Sequence, residues 1–145
     1  MRETDADINV RQVNWHEERE RIMAIREAVF VVEQEVPMEI ELDDADEQCQ
    51  FVLAEDEEGN AVGTCRLLPS GKIGRLAVLK PYRGHGVGSA LLQAVIDLAL
   101  KQGITDLYLH GQSYATEFYT KHGFVPEGEE FIEADFPHHK MRFNP

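Results

Sequence analysis

Apolar residues recur along the chain in two periods, and the changes between them predict the elements. Ile8, Val10 and Val13 predict a short first strand. From about Trp15, Ile22, Ile25 and Val29 recur at helical spacing, with Glu17, Glu18, Glu20 and Arg21 on the other side. That pattern predicts a helix with one buried face, opened by Asn14 as its cap ahead of Glu17. The run from Ala28 to Val36 is too apolar for a solvated loop, and Pro37 stops any helix there. Glu39, Glu41, Asp43, Asp44, Asp46 and Glu47 then read as a solvated acidic loop.

Two strand-like runs follow, Gln50–Glu55 and Ala61–Leu68, around the turn residues Asp56 to Asn60. A second turn, Pro69-Ser70-Gly71, leads into an apolar strand at Ile73–Leu79 that ends before Pro81. Strands joined by short turns make an antiparallel meander. A helix over Gly86–Gln102 carries a polar stripe at Ser89, Gln93, Asp97 and Lys101, with a surface pair expected between the last two. Its wide apolar remainder predicts burial against a sheet and a second neighbour, and Gly103 ends it. The strand at Leu107–His110, entered after this helix, is expected to lie parallel to the Ile73 strand. A short helix over Ala115–His122 closes at Gly123, and the tail Phe124–Phe143 predicts two extended pieces separated around Asp135–Pro137. The fold class is therefore α/β with a mixed sheet, and no linker or repeat divides residues 1–145, so one domain is expected.

Composition narrows the partners. A net charge of −13 disfavours nucleic acid and anionic membrane; it fits either a cationic ligand or an acidity that serves solubility alone. Cys49 and Cys65 fit no metal spacing and read as reduced thiols. The opening residues MRETDADINV do not resemble a signal peptide, and no run approaches the roughly 20 apolar residues of a membrane span. A cytoplasmic protein is expected.

The stretch richest in chemistry is Arg83-Gly84-His85-Gly86-Val87-Gly88-Ser89, between the Ile73 strand and the long helix. Alternate glycines let a ligand approach the backbone, and the helix start aims free N–H groups and a positive dipole at it. That arrangement suits phosphate, with Arg83 adding a fixed positive charge. The stretch is neither a Rossmann fingerprint, because Ser89 stands where the last glycine is needed, nor a P-loop, because no Gly-Lys-Ser/Thr follows.

The motif R-G-x-G-x-G in this position resembles the pyrophosphate-binding signature of the GNAT superfamily of acetyl-CoA-dependent N-acetyltransferases. A second GNAT signature, A-x-x-F-Y-x-x-x-G-F, is matched by Ala115 to Phe124. Arg26 to Gln34, Asp43 to Asp46, Ile73 to Val78, His110-Gly111-Gln112 and Pro137 to Met141 are similar to the ElaA-like branch, so the resemblance spans about Ile8 to Arg142.

The resemblance implies a GNAT acyl-CoA N-acyltransferase fold, in which the strand pair at the cofactor cleft splays apart. It implies coenzyme A held by Leu76, Ala77, Val78, the turn Arg83–Ser89, Gln112, Ala115, Phe118 and Tyr119. Gln112 departs from the asparagine common at its position. Val78 N–H is then the oxyanion donor and Tyr119 the acid that protonates the leaving thiolate. The walls of the acceptor site are expected from Phe30–Pro37 and the tail strands. For the general base Glu33 comes first, with His110 and His138 behind it, and an ordered-water relay as a further route. The paired His138 and His139 diverge in a strand, and no metal is expected.

The expected activity is acetyl transfer from acetyl-CoA to a primary amine of a small molecule or peptide, a cationic one being favoured. The alternatives are a non-enzymatic acyl-CoA-binding or sensing module and a nucleotide-binding domain. The chain is read as a monomer or homodimer.

Overall fold

The computed structural model describes residues 8–41 and 44–145. Seven strands form one sheet: β1 (Asn9–Val13), β2 (Gln50–Glu55), β3 (Ala61–Leu67), β4 (Lys72–Val78), β5 (Tyr108–Gln112), β6 (Phe124–Glu133) and β7 (Phe136–Phe143). Their spatial order is β1-β2-β3-β4-β5-β7-β6. β1 to β4 pair antiparallel in order, with short turns joining β2, β3 and β4 as a meander; β4 and β5 are parallel, and β7 pairs antiparallel with both β5 and β6. The tail hairpin turns at Ala134 and Asp135, both at positive φ. Pro137 falls inside β7 rather than in the turn, just before the first residue that β5 reaches, which is His138 opposite Gln112. A missing N–H costs least at that edge.

Strand alternation assigns each face a helix. Val52 and Ala54 face one way, toward α3 (Val87–Lys101), whose Leu91, Leu92, Val95, Ile96 and Ala99 are buried with them. Phe51 and Leu53 face the other way, toward α1 (Trp15–Arg26), with Ile22, Ile25 and a Trp15 ring stacked on Phe51 at 5.1 Å. Asn14 caps α1 by accepting from the His16 and Glu17 amides. Asp97 of α3 accepts a hydrogen bond from Gln93 at 2.9 Å, one turn back, in place of the expected pair with Lys101.

Two segments depart from the sequence pattern. The first is the run after α1, where residues Glu27–Glu33 continue as a π-helix that ends at Gln34. Its wider turns bury Val29 and leave Val32 70% exposed. The second is the acidic segment, which comprises the short helix α2 (Met38–Glu41) and a 3₁₀ turn at Asp44–Gln48. It is not a solvated loop: Glu41 and Asp46 are buried, 2% and 3% exposed. Asp43 lies outside the described residues.

The reason is Arg26. It falls on the apolar stripe of α1, one turn after Ile22, and is fully buried. A buried guanidinium requires partners. Glu41 meets its Nε at 2.6 Å and Asp46 its Nη1 at 2.9 Å. Asp46 also accepts from Arg66 at 2.9 Å, and Glu41 pairs with Arg75 at 2.7 Å. Such a network adds little net stability but fixes one geometry, because any alternative strands a charge. It folds the acidic segment onto α1 and β4.

Candidate active site

Between β4 and β5 the sheet comes apart. The two strands pair only at Lys72 with Tyr108 and Ile73 with Leu109. Just beyond, β4 carries a bulge: Thr64 opposes Ala77 and Arg66 opposes Gly74, so an extra β4 residue is accommodated and Arg75 takes a φ of 49°. A bulge bends its strand and sharpens its twist. β5 meanwhile stays with β7 as far as Gln112. A gap therefore opens between Leu76–Val78 and His110–Gln112.

The backbone facing this gap can be assigned. Leu79 N–H donates to Val62 O at 2.9 Å, so by strand alternation the main-chain groups of Val78 point away from β3. The Val78 carbonyl accepts from Arg83 Nε at 2.9 Å, on the gap side. The Val78 N–H shares that direction.

The turn after β4 forms the mouth of the gap. Residues Lys80–Tyr82 make a 3₁₀ turn, tied by the Tyr82 hydroxyl to Asp56 at 3.1 Å. Gly86 caps α3 at φ 84°, a left-handed conformation that a side chain would strain, and nothing lies within 4 Å of where its Cβ would stand. The bare N-terminus of α3 follows, open to a ligand of several phosphate oxygens. Ser89 in its first turn meets His122 Nε2 at 3.1 Å. Burial pushes the His122 imidazole toward its neutral form. A pyrophosphate thus fits this cradle of glycines and helix-start amides.

The gap's other wall is α4 (Thr116–Lys121), reached through a 3₁₀ turn at Ser113–Ala115. Phe118 packs on Gly88, and Tyr119 stands edge-on to Phe118 at 5.2 Å. The Tyr119 ring lies directly on Gly111 of β5: a Cβ there would come within 2.8 Å of Cε2 and 2.9 Å of Cδ2. Burial, with smaller contributions from Cys65 and Tyr114, pushes the Tyr119 phenol well above its ordinary range. It is therefore a held proton donor at neutral pH. The Cys65 thiol, wholly buried, is pushed up to about 12 by desolvation and stays protonated.

The remaining predicted residues are distributed as follows. Glu33, at the end of the π-helix, holds Arg83 by two hydrogen bonds of 2.7 and 2.9 Å. Both oxygens of that carboxylate are engaged, and the Arg83 guanidinium is divided between it and Val78. Gln112 donates to Gln34 at 3.1 Å, and its own Oε1 is buried with no hydrogen-bond partner, an orphaned acceptor at the end of the gap. His110 and His138 lie on the α1 face of the sheet, and both face Glu133, at 3.1 and 3.8 Å. His139 is on the opposite face, 3.8 Å from Glu130, so the two adjacent histidines diverge.

Sequence reasoning missed the Arg26 network, Gly111, Glu133 and Phe131. Arg26 interrupting an apolar stripe was the available signal for the first, and a lone glycine inside a strand for the second. The Glu133 contact carries no sequence signal, since 23 residues separate it from His110.

Comparison with known proteins gives consistent results. Residues 11–145 match the family described as acetyltransferase (GNAT) domain. The chain is 37% identical over 120 residues to the uncharacterized N-acetyltransferase YjcF of Bacillus subtilis, covering 81% of this chain and 86% of that protein. Among solved structures, an acyl-CoA N-acyltransferase from Pseudomonas aeruginosa superposes with a TM-score of 0.84 at 28% identity, covering 93% of this chain and 98% of that one. Escherichia coli ElaA superposes with a TM-score of 0.83 at 28% identity, covering 92% and 98% respectively.

Proposed function

The chain belongs to the GNAT acetyltransferase family, and from that premise we propose that it transfers an acetyl group from acetyl-CoA to a primary amine of a small molecule or peptide. The observation that carries this reading is the meeting, at one gap in the sheet, of a backbone N–H and a protonated phenol. Val78 N–H is directed into the gap by strand alternation, and Tyr119 is held against Gly111 across it. Acyl transfer to nitrogen needs a donor where the carbonyl oxygen gains charge and an acid where the thiolate leaves.

The turn at Gly84–Ser89 binds the diphosphate, and the gap takes the extended arm between β4 and β5. Arg83 must give up Val78 O as the arm enters, because the two occupy the same edge of β4. Val78 N–H then stabilises the oxyanion. Tyr119 donates its proton to sulfur as the carbon–sulfur bond breaks. The acceptor approaches from the α1 face, between the π-helix and β7, and the net charge of −13 favours a cationic amine.

Two measurements test the reading together. Acetyl-CoA at about 100 times its Kd is expected to stabilise wild type and Tyr119→Phe alike, by about 2.7 kcal/mol. Free thiol release across a panel of primary amines is expected to fall about a hundredfold in Tyr119→Phe. Equal stabilisation with no amine-dependent release in wild type would instead indicate a sensing module. No stabilisation at all would remove the acyl-CoA reading.

A further inference from the structure

The three side chains that the sequence offers as a base are in different situations. Glu33 has both oxygens on the Arg83 guanidinium. His138 is buried, and its Nδ1 must carry the hydrogen that binds Phe136 O at 2.7 Å. Its Nε2 then points at Glu133, 3.8 Å away, and not at the gap. His110 is different. Its Nδ1 lies 3.1 Å from Glu133 Oε1, and an ionised carboxylate only accepts, so that nitrogen bears the hydrogen. The basic lone pair is left on Nε2.

Position supports the same residue. His110 is the first β5 residue past the last pair with β4, so it stands where the gap begins. Its imidazole is held edge-on by Phe131 at 5.1 Å, which stacks in turn on His138. The charged neighbours are otherwise occupied. Lys140, opposite His110 on β7, reaches over the Tyr108 ring and toward Glu127 at 3.5 Å. Arg75 of β4 is turned to Glu41, and the neutral Gln34, which caps the π-helix, is bonded by Gln112.

We propose that His110 Nε2 takes the proton from the incoming ammonium, and that Glu133 is a positioning residue that fixes the tautomer and aim of that imidazole. The proposal rests on the acetyl-transfer reading above. His110 removes one proton from the ammonium and passes it to solvent. The free amine attacks the thioester carbon, forming the C–N bond as the carbonyl pair moves onto oxygen. Collapse breaks the C–S bond, and sulfur takes the Tyr119 proton. The nitrogen of the collapsing adduct still carries two protons; one passes to the phenolate and restores the phenol, the other stays on the amide, so amine and acetyl-CoA give amide and free thiol.

The test uses the full chain, acetyl-CoA and two acceptor probes: n-butylamine, an ammonium at pH 7, and hydroxylamine, which is largely unprotonated there. His110→Gln is expected to slow transfer to n-butylamine about a hundredfold and transfer to hydroxylamine far less. Glu133→Gln is expected to lower kcat for n-butylamine about tenfold, leave KM for acetyl-CoA unchanged, and shift the pH–rate profile. Nitrogen-15 spectra should show His110 protonated on Nδ1 in wild type and a mixture of tautomers in Glu133→Gln. Equal losses on both probes, or an unchanged tautomer in Glu133→Gln, would overturn the proposal while leaving acetyl transfer intact. If wild type transfers to no amine while still binding acetyl-CoA, the acetyl-transfer reading fails and this proposal falls with it.

Discussion

Around Val78 and the turn Arg83–Ser89, the groups offered to a ligand are mostly main chain: a strand N–H, bare helix-start amides and glycines with no Cβ to obstruct them. On the α1 face, at His110, Glu133, Arg26 and Glu41, the working contacts are side chains brought from four elements. The first side suits a ligand part that every member of a family shares. The second suits the part that differs. Backbone recognition depends on local conformation, so it tolerates change in neighbouring side chains. Side-chain recognition depends on long-range packing, so each member can rebuild it.

The sharpest way to break this contrast is Asp46→Ala. It removes the carboxylate shared by buried Arg26 and Arg66 and is expected to cost about 3–5 kcal/mol, read as a drop in the denaturation midpoint. A loss under 1 kcal/mol would mean that the acceptor-side wall does not depend on this network. Next comes Gly111→Ala, which places a methyl against a ring with little room to yield. Overpacking should cost about 1–3 kcal/mol, and transfer should fall more than stability because the Tyr119 hydroxyl is displaced. Unchanged activity would show that the ring has slack.

The smallest effect concerns His122. Its imidazole is depressed by burial, so the folded state binds the proton less readily than the unfolded chain. Its contribution is therefore present above the unfolded value near 6.5 and lost as pH falls through the folded value. Wild type should lose slightly more Tm than His122→Gln between pH 7.5 and 5.5, and identical slopes would contradict the assignment.

Much of the donor side was legible in the sequence. Arg83–Ser89 displays its glycines and helix start within seven residues, and Tyr119 sits in a contiguous motif next to Phe118. The meander and the parallel β4–β5 pair followed from short turns and one crossover helix. The acceptor side was less legible because its signals are split along the chain. Six acids between Glu39 and Glu47 look like solvated charge, and only the distant Arg26 gives two of them a reason to be buried. A carboxylate at residue 33 looks like a base until the fold places Arg83 on both its oxygens.

By itself, the sequence determined the seven strands and three helical patterns along the chain, the open backbone of the turn and the residue types available for acyl transfer. These depend on periodicity, capping and φ preferences that act over a few residues. The tertiary structure alone decided which acids are buried, how far β4 departs from β5 and that Glu133 meets His110 where the gap begins. Those outcomes follow from desolvation and hydrogen-bond pairing between groups that meet only when the chain has closed.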